Sequence, residues 1–202
     1  MKTFLDTKGK SFTFSSCDSC PARCCDGREG SILSEILIED FEKISQYFPI
    51  LFTFGELGYL KANVLLSNGE DFCPYILNHQ CTIYENRPNV CRNYPLSANI
   101  ENKIFIDDSC PAINQEYGHD IIKDGKVEKN FDNESLYDYQ KKYLETHFEL
   151  EKINNKDDFQ KVLEINDLLF YKYVGTSQNT FLTLHQQSLL NKIEYYNFVD
   201  LA

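Results

Sequence analysis

Cys17-Asp-Ser-Cys20-Pro-Ala-Arg-Cys24-Cys25 places four of the chain's eight thiols within nine residues, and Cys73, Cys81, Cys91 and Cys110 return further along. We read the stretch as a metal nucleation site. Met1 to Phe14 show neither a basic region followed by an apolar run nor a small-residue cleavage site, so the expected compartment is the cytoplasm. There thiols stay reduced, and cysteines gathered at short spacing are read as metal ligands rather than a disulfide framework.

Composition narrows the function classes. At 202 residues the chain can bury a sizeable core and lies near the size of one domain. No apolar run approaches the roughly 20 residues of a membrane span. A formal charge of −11 repels phosphate backbones, which argues against nucleic acid as the main partner. Only four residues are arginine, and Arg23, Arg28, Arg87 and Arg92 all lie within four positions of a cysteine. Thiolates around a metal leave net negative charge that a guanidinium, weakly hydrated and rich in donors, can offset. Ordinary surface arginines are the plainer alternative. Five of the six prolines also sit within four residues of a cysteine, where a fixed φ and a missing N–H set loop shape in advance.

In chain order, Phe12 and Phe14 alternate as a short strand would, inside a lead-in of residues 1–16 expected to carry no chemistry. Residues 31–37 read as a short strand, 38–48 as a helix stopped by Pro49, and 52–66 as a hairpin ending at the turn Ser67-Asn68-Gly69. Residues 100–106 read as another strand. Beyond Pro111 there is no further Cys, Arg or Pro, and three helices are predicted. The first runs from a cap at Asp132 or Asn133 to about Ile153, with Leu136, Tyr139, Tyr143, His147 and Leu150 on one face. The second runs from Asp157 to Gly175, with Phe159, Val162, Leu163, Leu169 and Tyr173 inside. The third covers about Thr183 to Phe198. The expected fold class is α+β, a loop-rich Cys-ligated half with short strands (1–112) and a helical half (113–202), packed as one unit.

The metal is left open by spacing alone. Tetrahedral sulfur suits zinc and iron–sulfur clusters alike. One Cys-x2-Cys pair with later gaps of seven, nine and eighteen residues is not the two-pair pattern of zinc ribbons. Cys-Pro at Cys20, Cys73 and Cys110 hints at a cluster, since a Cys-Pro ligand occurs in bacterial ferredoxins. An iron–sulfur cluster is preferred over zinc. Adjacent Cys24 and Cys25, if extended, point to opposite faces and serve two centres, or one of them serves none. His79 reads as a turn residue rather than a ligand, and His119, His147 and His185 have no assigned role.

The cysteine pattern, together with Cys73-Pro74 and Cys81-Thr-Ile-Tyr84-Glu-Asn-Arg87-Pro88-Asn-Val-Cys91-Arg92-Asn-Tyr94-Pro95, resembles the YkgJ-like cysteine-cluster family over about residues 15–112. That family is described as zinc- or iron-chelating, and Cys110 completes its eight cysteines. One departure is visible: three residues, Pro21 to Arg23, separate Cys20 from Cys24 where the family signature has two.

The resemblance implies metal chelation by Cys17, Cys20, Cys24, Cys25, Cys73, Cys81, Cys91 and Cys110, with Arg87 and Arg92 expected to face the centre. The expected role is a cytosolic metal-binding protein, in electron transfer, metal handling or redox sensing. Two rivals stand beside it. The cysteine cluster also resembles part of the flagellin lysine methylases, which would make the chain a protein-modifying enzyme, but it shows no Gly-rich strand-turn-helix motif for a nucleotide cofactor. The other rival is a structural zinc module whose helical half binds a protein.

Overall fold

The structure is a computed structural model describing residues 2–17, 20–131, 134–196 and 198. Its largest element is a five-stranded antiparallel sheet in the order Phe159–Ile165, Leu168–Tyr173, Ile50–Phe54, Leu60–Leu65, Leu33–Glu35. Strict alternation in the central hairpin sends Ile50, Phe52, Leu60, Ala62 and Val64 to one face, against Phe41, Ile44, Phe48, Leu150, Ile153, Phe181 and Leu182. Leu51 and Leu65 go to the other face with Val162, Phe170, Leu189 and Tyr196. Two three-stranded sheets, one of Phe4–Asp6, Ile104–Asp107 and Leu96–Ala98 and one of Lys126–Val127, His119–Lys123 and Phe12–Phe14, share a separate core around Ile106, Ile121, Ile122 and Leu136. The cysteine loops bridge the two cores: Cys73 is buried with the first and Cys110 with the second.

The α+β class is as read from the sequence, and the C-terminal half carries helices at Tyr139–Glu151, Thr180–Ser188 and Ile193–Tyr196. Its middle segment is a correction. Residues 157–175 are not a helix; Phe159–Ile165 and Leu168–Tyr173 form a hairpin on the central sheet, with Tyr171 opposite Phe52. A register shift between Lys161 and Leu163 switches the strand from one buried face of the sheet to the other, so Phe159 packs with Phe52 while Val162 and Ile165 pack with Leu51 and Leu65, and burial recurs every third residue. That three-residue interval imitates a helix face. Asn166 and Asp167, both at positive φ (49° and 64°), make the two-residue hairpin turn.

Other differences are of extent. The helix expected over 38–48 is a 3-10 turn, Ile38–Asp40, followed by Phe41–Ile44. The proposed caps Asp132 and Asn133 lie outside the described residues, Leu136 sits in a separate 3-10 turn, and the helix itself starts at Tyr139. The last helix starts earlier, at Thr180, where the Asn179 side chain accepts from the Leu182 N–H at 2.8 Å, and it breaks before Lys192 at φ 52°. The strands expected over 31–37 and 100–106 are Leu33–Glu35 and Ile104–Asp107. Among the described residues no helix is long and apolar enough to cross a membrane.

Candidate metal centre

Short local bonds shape each cysteine loop. Cys20 N–H donates to the Cys17 carbonyl at 3.2 Å, and Arg23–Cys25 winds into one 3-10 turn behind Ala22 at φ 57°. The Cys25 carbonyl accepts the Cys73 N–H at 2.7 Å, tying the two cysteine-bearing stretches together. Gly27 and Gly30 allow this approach: a Cβ on Gly30 would stand 2.5 Å from the Cys24 carbonyl oxygen, and one on Gly27 would stand 2.7 Å from the Asp71 oxygen. Cys81 lies on a two-residue strand pairing with Ile76, and Cys91 on the helix Asn89–Asn93 that follows Pro88.

Together these loops wall a cavity of about 350 Å3. Cys17, Cys20, Cys24, Cys25, Cys73, Cys81 and Cys91 line it. Cys110 lies outside the lining, buried behind it and within electrostatic reach of Cys24 and Cys20. Cys24 is central, also acting on Cys17, Cys73 and Cys91. It faces the same way as its neighbour, with the Cys24 and Cys25 Sγ atoms 3.6 Å apart. The expected opposite orientation fails because the segment is a tight turn, not an extended strand.

The donor set fits a soft metal. The described lining holds seven thiols and no carboxylate, a composition that selects zinc or iron–sulfur chemistry over hard cations. The thiols ring the cavity rather than meet at a point: among the described residues no three Cys, His, Asp or Glu side chains stand ready around a single ion. In the metal-free chain Cys17, Cys24, Cys73, Cys91 and Cys110 are held neutral. Burial pushes Cys17 up to about 11 and Cys73 up to about 12, and it raises Cys91 and Cys110 as well. Cys24 is raised by its hydrogen bond with Cys25 and then by burial. A metal cation would reverse that balance by stabilising the thiolates directly.

Residues 16–111 match the family model CxxCxxCC, described as "Putative zinc- or iron-chelating domain". This segment is a CxxCxxCC domain. It contains all eight cysteines, and the family description supports metal binding. No solved structure matches the chain.

Within the CxxCxxCC domain the arginines divide. Arg23 pairs with Glu29 at 3.1 Å, and Arg28 grips Asp26 with two bonds of 2.8 Å, so both face carboxylates. Arg87 lines the cavity, stacked 3.5 Å over the Tyr84 ring with Nε donating to the Tyr84 carbonyl at 2.8 Å. Its charge reaches Cys17 and Cys91. Arg92 is exposed and outside the lining, where its charge acts on Lys43. His79 sits in the Asn78-His79 hairpin turn at φ 62°, on the cavity wall, with Nδ1 3.2 Å from the Pro21 carbonyl. His185 is a core residue between the Ile50 carbonyl and the Tyr173 N–H.

Sequence reasoning missed two contributors. Tyr94 lines the cavity and donates to Asp107 at 3.1 Å; that fully buried carboxylate also accepts from Thr3 N, Ser109 N and Ser109 Oγ. Lys2 also lines the cavity, although the lead-in was expected to carry no chemistry. Its only sequence signal is a strand, Phe4–Asp6, whose partner Ile104–Asp107 lies a hundred residues away.

Proposed function

We propose that the CxxCxxCC domain holds a polynuclear iron–sulfur cluster and serves one-electron transfer or redox sensing in the cytoplasm. The supporting observation is the arrangement of thiols: seven line one cavity of about 350 Å3 without converging, which is more sulfur and more space than a single four-coordinate ion uses. Cys17, Cys20, Cys24, Cys25, Cys73, Cys81 and Cys91 would provide ligands, with Cys110 behind Cys24 as the eighth candidate. When bound, such a cluster supplies a reversible one-electron couple whose potential follows net charge, hydrogen bonds to sulfur and solvent exposure. This chain's own residues bear on each: Arg87 brings positive charge, Tyr94 brings a hydroxyl beside Cys110, and exposed Cys17 marks the solvent side.

One observation fits a zinc reading equally well. The 3.6 Å between Cys24 and Cys25 sulfurs suits two thiolates on one tetrahedral ion with Zn–S of about 2.3 Å. Anaerobic purification followed by iron, inorganic sulfide and zinc analysis separates the two. Brown protein with iron and sulfide in stoichiometric amounts supports the cluster. Colourless protein with stoichiometric zinc, unable to take up iron and sulfide, refutes it. Cys24→Ser should lower metal content most, because Cys24 is the sulfur within reach of most others.

A further inference from the structure

A cavity walled by seven thiols must accommodate negative charge once they ionise, yet two of the four arginines in the CxxCxxCC domain are paired with carboxylates and a third faces away. Two lysines outside the family segment are placed to supply positive charge, Lys2 in the cavity lining and Lys192 exposed outside it. Lys2 Nζ donates to Ser31 Oγ at 2.7 Å and lies 4.6 Å from the centre of the Tyr94 ring; Ser31 and Tyr94 both line the cavity. Lys192 Nζ lies 4.9 Å from the centre of the Tyr75 ring, which lines the cavity beside Cys73. Each ammonium is thus seated on an aromatic face, a favourable site for a cation.

The backbone brings both from afar. Thr3 N–H donates to Asp107 Oδ1 at 3.1 Å, and the Thr3 carbonyl accepts from Asp108 N at 2.9 Å, fixing Lys2 at the cavity mouth. At the other end Asn191 Nδ2 donates to the Ser45 carbonyl at 2.7 Å, and Lys192 takes φ 52° to leave the helix line. Among the described residues neither ammonium has a carboxylate within ion-pairing distance. The charge of Lys2 reaches the half-buried Cys24 and that of Lys192 the buried Cys73.

We propose that Lys2 and Lys192, one from each side of the CxxCxxCC domain, are positioning residues that hold the thiolate-bound metal by offsetting its negative charge. This rests on the metal-centre reading above. It also means that residues 16–111 alone are an electrostatically incomplete centre.

The test uses the full chain, with Zn2+ as the titrated probe against a competing chelator, alongside metal analysis of anaerobically purified protein. Lys2→Gln and Lys192→Gln should each weaken Zn2+ retention by about three- to tenfold, and the double variant by about the product. Lys→Arg at either position should restore most of the loss, and raised salt should shrink the difference. Lys126→Gln, on an exposed strand of another sheet, should change nothing. Metal-free melting temperatures should stay at the wild-type value, since Lys192 is exposed and Lys2 only half-buried. Gln variants that retain Zn2+ like wild type overturn the inference while leaving the metal centre standing. Loss of retention that Arg fails to restore, accompanied by a lower metal-free melting temperature, also overturns it by assigning a structural role. Wild-type protein that binds neither Zn2+ nor iron overturns the metal-centre reading itself, and the inference with it.

Discussion

Gly30→Ala is a one-carbon perturbation aimed at the cysteine turn. The added Cβ would sit 2.5 Å from the Cys24 carbonyl oxygen and 2.7 Å from both the Arg23 carbonyl oxygen and the Cys24 carbonyl carbon, all backbone atoms. Ordinary contact begins at 3.4 Å, so the turn and Gly30 must separate by roughly 0.9 Å. The 2.6 Å bond from Gly30 N–H to the Asp26 carbonyl and the 2.7 Å bond from Cys73 N–H to the Cys25 carbonyl resist that motion. Overpacking of this kind costs about 1–3 kcal/mol. For a chain of this size each kcal/mol lowers the melting temperature by about 2–4 °C. The displaced atoms belong to Arg23 and Cys24, the latter a cavity-lining thiol residue, so metal content should fall together with stability. Gly55→Ala is the control, since its Cβ meets nothing nearer than the flexible Lys61 Cε at 3.5 Å and should change stability by less than about 0.5 kcal/mol. Thermal unfolding and metal analysis of both variants decide the matter. A Gly30→Ala protein that melts with wild type and keeps its full metal content would refute the reasoning.

The thiols give a pH signature of definite sign. Cys17 at about 11 and Cys73 at about 12 lie above the ordinary 9.0, so the unfolded chain ionises first; their contribution to metal-free stability is whole below pH 9 and is lost as pH rises from 9 toward 12, measurable by melting curves. Metal uptake releases these protons, so Zn2+ affinity should rise with pH between about 6 and 9 in competition titrations. His185, lowered to about 4 from 6.5 by burial, acts in the opposite direction: its contribution is whole above pH 6.5 and is lost as pH falls to 4, about 3 kcal/mol in all. His185→Phe should remove that acid sensitivity while costing about 2–4 kcal/mol at neutral pH, because the Tyr173 N–H and Ile50 carbonyl lose their buried partner. Arg87→Gln should lower metal retention whereas Arg92→Gln should not, since only Arg87 reaches the cavity; equal losses in chelator competition would contradict the asymmetry.

Local spacing made the cysteine region legible. Cys17 to Cys25 and the Cys81–Tyr94 block specify their turns through prolines and glycines close in sequence, so the gathering of most of these cysteines around one cavity could be anticipated. The orientation of Cys24 and Cys25 could not, because it depends on Ala22 adopting φ 57°, a conformation that alanine does not advertise. The C-terminal hairpin was hidden for a different reason. A bulge at Lys161–Leu163 converted a two-residue period into a three-residue one, and Phe159, Val162 and Ile165 then matched a helical face. Lys2 and Lys192 escaped because their positions depend on contacts between segments far apart in the chain, which no local pattern encodes.

The strand Ile50–Phe54 lies between Leu60–Leu65, which follows it at once, and Leu168–Tyr173, which is made roughly 120 residues later. At a synthesis rate of about 5–20 residues per second, its outer edge stays bare for about 6–24 s after it leaves the ribosome. That edge carries Ile50, Leu51 and Phe52, an apolar strand of the sort that templates intermolecular pairing. The nascent chain therefore passes through an aggregation-exposed interval, and by its second half all eight cysteines have been translated.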